Sequence, residues 1–206
     1  MTVRTNWYTM DNKLGVNLNK LISSVSVTAN PTQPEYPGIP HNLGDRIQSN
    51  GGGEWVFVQA TATVTAFSTI AIFPGYKAAI LTAGLVSTTA DPTMYGIAQW
   101  QVPGGVSVGG TGYAATAQPG DLFWALVKAD NGIKVLTQDS AMPGTAGIIL
   151  FAGTTAGWVA TSSADGPQLN GLVAIGSATD PNTNAVAEVG MFTYISPFPR
   201  VRGLTA

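Results

Sequence analysis

The chain has 206 residues, a formal net charge of −2 and no cysteine, and only 10% of its residues are Asp, Glu, Lys or Arg. This length suits one domain with appendages or one large all-β unit, and the absence of cysteine excludes disulfides, thiolate catalysis and cysteine-based zinc sites. Because typical domains contain about 25% charged residues, we expect much of the surface to be buried against other subunits; a coat of Thr, Ser, Gln and Asn is the alternative.

The few charges are unevenly distributed. The body of the chain, residues 44–196, has four basic and nine acidic residues, whereas both ends are mildly basic. A nucleic-acid partner requires a basic stripe, which this body lacks. The N-terminus has no apolar signal-peptide core. Two stretches, residues 92–120 and 140–164, contain no charged residue, but Gly, Pro, Ser and Thr interrupt them, so neither is a candidate membrane helix. We therefore expect no direct nucleic-acid partner, no targeting segment and no membrane partner.

The first segment in chain order is residues 1–43. It contains the stretch NPTQPEYPGIP, with four prolines in eleven residues, which cannot be a helix or a central strand. We predict an extended N-terminal arm with a tendency toward polyproline geometry. Because Trp7, Tyr8 and Tyr36 make the arm too apolar for pure disorder, we expect it to lie on a neighbouring molecule. Packing on its own body is the alternative.

Residues 44–196 lack helical periodicity and contain about ten short β-branched and aromatic runs separated by turn residues. This pattern predicts an all-β body, a β-sandwich or β-barrel-like fold, with at most one or two short helical turns. The stretch SNGGGEWVFVQA illustrates it. Its glycines indicate a turn, and its apolar residues from Trp55 to Val58 fall on both faces of one strand. Such a strand lies deep in a core or at a subunit interface.

Two hairpins follow from turn chemistry. Asp130-Asn131-Gly132 separates two strand-like runs, and Asn-Gly is favoured in tight type I′ hairpins. Asp180-Pro181-Asn182 separates a second pair of runs. The final segment, residues 197–206, is predicted to be an extended tail. Its Arg200 and Arg202 are candidates for charge-assisted bonds to acidic groups of a partner.

No residue pattern indicates an enzyme. The single histidine, His41, has no second histidine for a metal pair, and no G-x-S-x-G elbow is present. Most acidic residues fall at turns, where Asp has backbone reasons to be, so that only Glu54 and Glu188 remain as a conceivable carboxylate pair. We expect no cofactor and no catalytic metal; an oxygen-ligated calcium site at an Asp turn is the exception left open.

The glycine cluster and the aromatic residues of the body could each indicate a binding site or an ordinary structural role. The glycine cluster between Gly104 and Gly112 lacks the Gly-Lys-Ser/Thr ending of a phosphate-binding P-loop, so a tight or mobile loop is the better interpretation. The tryptophans and tyrosines of the body could form a carbohydrate platform. In a β-rich domain they more often belong to the core or to an interface.

Several segments resemble, in their order and texture, those of tailed-bacteriophage virion proteins of the capsid decoration or cement type. They are LGDRIQSNGGGEWVFVQATATVTAFSTIAI, YGIAQWQVPGG, GDLFWALVKADNGIKVL, TAGWVATSSADGP and GLVAIGSAT, which together span roughly residues 43–195. The resemblance includes no diagnostic motif, and the arm has no counterpart in it. No functional residue can therefore be transferred from that family.

The resemblance implies a β domain on the outside of an icosahedral phage head, commonly as a homotrimer. The expected partner is then the major capsid protein, and the expected location is the virion surface after assembly in the host cytoplasm. On this hypothesis Trp7, Tyr8, Tyr36, Arg200 and Arg202 are the candidate partner-binding residues. Two alternatives remain: a receptor- or glycan-binding module associated with the tail or fibre, and a polysaccharide-active enzyme.

Overall fold

The computed structural model describes only part of the chain. The described residues are 18, 41–49, 53–82, 92–99, 116–138, 148–176 and 186–197, and side chains are not described at 129–132, 175–176 and 186–197. Within these residues the chain forms twelve strands and no helix, which confirms the predicted all-β fold. The Gly104–Gly112 cluster and most of the N-terminal arm lie outside the described residues.

The strands in chain order are β1 Arg46–Gln48, β2 Glu54–Ala60, β3 Val64–Thr65, β4 Thr69–Phe73, β5 Lys77–Ile80, β6 Met94–Ala98, β7 Thr116–Ala117, β8 Leu122–Leu136, β9 Ile148–Ala152, β10 Val159–Ala160, β11 Gln168–Gly176 and β12 Val186–Pro197. Ten of them form one sheet in the order β1-β2-β5-β4-β6-β8-β12-β11-β9-β10, and β3 pairs with β7 in a separate ribbon. A further pairing of β2 with β8 closes the strands β2, β5, β4, β6 and β8 into a five-stranded barrel.

The alternation of side chains along β2 explains why the barrel needs a second layer. Val56 and Val58 point into the barrel, where they meet Phe123 of β8 and other buried residues. Trp55 and Phe57 point outward, yet they too are fully buried. The prediction that this strand is covered on both faces is confirmed. The glycine-containing segment before it connects β1 to β2, which pair as an antiparallel hairpin.

Strand β8 is shared between the barrel and the rest of the sheet. Its first half pairs with β2, and its second half pairs with β12. The predicted hairpin at Asp130-Asn131-Gly132 is therefore wrong, because the strand continues through these residues. Between the paired positions Ala129 and Ile133, β8 has three residues where β12 has only Gly190. The Asn-Gly sequence thus lies in a bulge, which bends a strand and increases its twist.

The strands β12, β11, β9 and β10 extend the sheet beyond β8 and curve back toward it. The last of them, β10, returns to the end of β8, where Thr137 and Val159 form a parallel bridge and the Gln138 N–H donates to the Val159 carbonyl over 3.0 Å. The consecutive strands β11 and β12 pair in antiparallel fashion, which confirms the second predicted hairpin. Its loop, Asp180-Pro181-Asn182, lies outside the described residues.

The outer face of the barrel and the inner face of this curved extension share one apolar cluster. It unites Trp55, Phe57 and Trp124 of the barrel with side chains of β9 and β11, such as Leu150 and Leu169. Leu18 also belongs to this cluster and is fully buried. At this position the N-terminal segment therefore packs on the body of its own chain, as the alternative interpretation of the arm proposed.

Replacement of Leu18 by Ala tests this packing. Loss of a buried leucine side chain destabilises proteins by about 2–5 kcal/mol through lost burial and an unfilled cavity. We expect Leu18→Ala to lower the free energy of unfolding by that amount in urea denaturation, at an unchanged m value. The control is Thr63→Ala, because Thr63 is exposed and should matter much less. Equal, small effects of the two substitutions would contradict the assignment of Leu18 to the core.

Candidate functional site

The five predicted partner-binding residues lie in the terminal segments. Trp7, Tyr8, Tyr36, Arg200 and Arg202 are all outside the described residues, so their role stays a prediction. The described part instead shows how the chain enters the body immediately after the arm.

His41 lies over the aromatic side chains that face outward from the barrel. Its ring is 5.1 Å from the Trp124 ring and 5.5 Å from the Phe57 ring between centroids, in both cases edge to face, and Phe57 and Trp124 are themselves 5.1 Å apart. The side chain of His41 is only 13% exposed, and its Nδ1 lies 4.0 Å from Oδ2 of Asp45. His41 therefore acts as a partial cover of the apolar outer face.

The turn that follows His41 fixes this cover to β2. The Asp45 carboxylate accepts a hydrogen bond from the Asn42 N–H at 3.1 Å, and the Asp45 N–H donates to the Asn42 carbonyl at 3.0 Å. The Gly44 N–H donates to the Phe57 carbonyl, and the Phe57 N–H donates to the Asp45 carbonyl, both at 2.9 Å. Gly44 has a φ of +92°, and a Cβ there would overlap the Tyr76 ring. This position therefore requires glycine.

A polar rim lies at the barrel end where β2 and β4 finish and where β5 and β8 begin. Lys77 Nζ donates to the side-chain oxygen of Gln59, and the Gln59 amide nitrogen donates to the Gly120 carbonyl at 3.1 Å. Asp121 is buried, and its carboxylate accepts the Gln118 N–H at 2.7 Å. Each of these groups stabilises a turn, so the rim is held rigidly. It contains no arrangement of a nucleophile with a neighbouring base.

Most charged residues of the described part, namely Asp45, Glu54, Lys77, Lys128, Lys134 and Asp165, are partly exposed. Of the described residues in the exposed class, only Arg46 is charged, and it pairs with Glu54 over 2.5 Å. The others are neutral, and they cluster in the turns at 61–63, 74–75, 118–119, 154–156 and 162–164. About half of these turn residues are Thr, Ser or Gln and the rest are Ala, Pro or Gly, so the polar coat that we named as an alternative explanation for the low charge is present only in part.

The conceivable carboxylate pair is not brought together. Glu54 lies opposite Lys128 on β8, whereas Glu188 lies opposite Lys134 six positions further along the same strand. With the bulge allowed for, the β12 position level with Lys128 lies four residues beyond Glu188. At ~3.3 Å per residue this is about 13 Å along the strand. In addition, the Glu54 carboxylate bonds to Arg46 on β1, which pairs with the edge of β2 opposite to β8. The backbone positions of Glu54 and Glu188 therefore lie at different levels of the sheet.

The described residues also bear on a metal site, a sugar-binding platform and a membrane-spanning helix. No group of three or more His, Asp or Glu side chains lies together there as a metal site would require. Trp55 and Trp124 are buried and cannot offer a stacking face to a sugar. Trp158, Tyr76 and Tyr95 are partly exposed, and Trp100 and Tyr113 are outside the described part, so the carbohydrate platform stays a prediction. In the same residues, no helix has the length and apolarity to cross a bilayer.

Comparisons with known proteins do not assign the chain to a family. No family model, no curated protein and no solved structure matches it. The resemblance to phage virion proteins is therefore a matter of segment order alone, and the function must be argued from the sequence and the geometry.

The role of His41 as an apolar cover can be separated from its proximity to Asp45. Aromatic pairs contribute about 0.5–1.5 kcal/mol beyond their buried area, whereas partly exposed ion pairs contribute little. We expect His41→Ala to lower the free energy of unfolding by about 1–2 kcal/mol and His41→Phe to retain most of it, both measured by urea denaturation. Equal losses in the two variants would instead assign the effect to the histidine–aspartate contact.

Proposed function

We propose that this chain is a structural virion protein, a capsid decoration or cement subunit. In this proposal it binds the major capsid protein on the outside of an icosahedral phage head, as a homotrimer, and stabilises the contacts between capsomers. It performs no chemistry; its contribution is contact area that resists outward pressure on the shell. The segment order described above raised this hypothesis, and the structure adds physical support.

The single observation that carries the proposal is the low charge of the chain, in which only 10% of residues are Asp, Glu, Lys or Arg. A protein that stays free in solution usually has a surface with about 25–35% charged residues. Among the described residues Arg46 is the one charged residue in the exposed class, and the partly exposed class adds Asp45, Glu54, Lys77, Lys128, Lys134 and Asp165. Removing isolated charges from water is expensive. Hydroxyl and amide side chains are easier to bury because they can form hydrogen bonds with a partner. Such a surface favours close, permanent contact with other protein over a freely diffusing existence.

The closed strand arrangement suits a rigid platform. The β2–β8 pairing closes the barrel, and the bridge from Thr137 to Val159 returns the curved extension to β8. The strands at the two ends of the ten-stranded order, β1 and β10, have three and two residues. Short edges give other chains little backbone to pair with. Attachment is then left to side-chain surfaces and to the terminal segments.

The terminal segments supply the candidate anchors. Trp7, Tyr8 and Tyr36 are of the types enriched at binding hot spots, and prolines restrict the arm so that less conformational freedom is lost on docking. Arg200 and Arg202 offer charge-assisted hydrogen bonds to acidic groups on a shell. Because Leu18 lies in the core, the arm has to be anchored to its own body at that point while its aromatic residues reach the partner.

Labelling of whole particles tests the location. Gold-tagged antibody against this chain, imaged on purified virions by electron cryomicroscopy, should label many sites distributed over the head. Label confined to a few copies at the tail would contradict the decoration role and favour the receptor- or glycan-binding alternative. Absence from particles, combined with turnover of a polysaccharide, would favour an enzyme.

Binding to undecorated capsids tests the anchors. Deletion of residues 1–43 is unsuitable because it removes Leu18 from the core, so point substitutions are used in the full chain. We expect the triple variant Trp7→Ala, Tyr8→Ala, Tyr36→Ala to bind at least tenfold more weakly, equivalent to about 1.4 kcal/mol or more, with an unchanged unfolding midpoint. Arg200→Ala with Arg202→Ala should remove the salt-dependent part of the affinity.

The matched control for these variants is Thr154→Ala with Thr155→Ala, two exposed positions of the body. Occupancy is read from the ratio of this chain to capsid protein on sedimented particles. Unchanged occupancy of the aromatic triple variant would show that the body alone makes the contact with the shell.

A further inference from the structure

The outer face of strands β9 and β11 has an apolar strip formed by Ile149, Phe151 and Val173. Neighbouring residues of these strands, among them Leu150 and Leu169, point inward to the shared cluster, so the strip faces away from the core. Ile149 is 48% exposed and is the one large hydrophobic side chain in the exposed class among the described residues. Phe151 and Val173 are half-buried.

The strip is uncharged and open on one side. Ile149 lies directly opposite Val173, and on its other side Val173 lies opposite Gly190 of β12, which has no side chain to cover it. Gln168 and Asn170 bond to each other at 2.9 Å beside Phe151. Neither β9 nor β11 contains an acidic or basic residue. The strip therefore fits an apolar occupant.

The size of the strip favours a short peptide segment over a second folded subunit. Three side chains provide far less than the ~800 Å² that each partner buries in a stable protein interface. A segment of a few residues with two or three apolar side chains matches it better. The chain has such a segment close at hand.

The C-terminal tail begins two strands away from the strip. Strand β12 ends at Pro197, which lies opposite Leu169 of β11, and Leu169 in turn lies opposite Leu150 of β9. Two strand spacings of ~4.8 Å place Pro197 about 10 Å from β9. Four further residues at ~3.1 Å each, the rise of a polyproline helix, reach about 12 Å. The tail can therefore reach the strip of its own chain.

The tail sequence, FPRVRGLTA at residues 198–206, has its apolar residues three apart. Pro199, together with Pro197 at the end of β12, favours polyproline geometry, which has three residues per turn. This period places Phe198, Val201 and Leu204 on one face and puts Arg200 and Arg202 on the other two. We propose that the C-terminal tail docks on the apolar strip of its own body through Phe198, Val201 and Leu204.

The docked tail explains how the arginines are presented. With its apolar face on the strip, the tail holds Arg200 and Arg202 away from the sheet on a neutral part of the surface, available to an acidic partner. This inference goes beyond the proposed function, and its test uses free protein, so that failure of the capsid role would leave it unaffected.

The natural absence of cysteine allows a direct disulfide test. The variant Ile149→Cys, Val201→Cys is compared with Ile149→Cys, Arg200→Cys and with Ile149→Cys, Arg202→Cys, all in the full chain under mild oxidation. We expect the Val201 pair to form an intramolecular disulfide at least tenfold faster than either arginine-position pair. Peptide mass spectrometry identifies the bond, and a non-reducing gel separates bonds within one chain from bonds between chains.

Two outcomes would overturn the proposal. Equal rates at positions 200, 201 and 202 would describe a tail that only passes within reach of the strip without docking. Covalent dimers as the main product of the Val201 pair would assign the strip to a second copy of the chain. Because Ile149 is on the surface, the cysteine substitution should leave the fold intact, and unchanged urea midpoints of the reduced variants verify this.

Discussion

The ladder between β2 and β8 is the constraint on which the rest of this structure depends. Its residues alternate between the barrel interior, with Val56, Val58 and Phe123, and the outer cluster, with Trp55 and Trp124. Each large apolar side chain gains about 1.5–3 kcal/mol from full burial, so neither face can be left in water. The barrel satisfies one face only. The other face must also be covered, and it is covered by the curved extension, Leu18 and His41.

The all-β fold and the two-sided burial of β2 were predictable because both are properties of a few adjacent residues. The sequence EWVFVQA has large apolar groups at odd and even positions, and this decides burial without any knowledge of neighbours. The Asp130-Asn131-Gly132 hairpin failed for the opposite reason. Asn-Gly accepts left-handed backbone in a hairpin or in a bulge, and the choice was made by the distant strand β12, which pairs beyond the bulge.

The cover of the outer face was not predictable from local sequence. Leu18 stands in a segment assigned as an arm from its proline content, and a single leucine there has no periodic neighbours to mark it as core. His41 has no second histidine for a metal pair, so nothing in the sequence marks it as special. Its contacts with Phe57 and Trp124 join positions 16 and 83 residues away. The only local signal was the HNLGD turn, with a glycine and an aspartate before the first strand.

The same closure that stabilises the body limits how it can attach to anything else. The short strands at the two ends of the ten-stranded order disfavour attachment by strand addition, and the exposed turns of the described part supply neutral side chains. Large aromatic or charged groups favour specific, strong anchoring, and the terminal segments contain five candidates, Trp7, Tyr8, Tyr36, Arg200 and Arg202. In the proposed attachment role, the two tasks would be separate. The barrel and its extension would provide shape, and the termini, tethered to them near Leu18 and Pro197, would provide the contacts that select a partner.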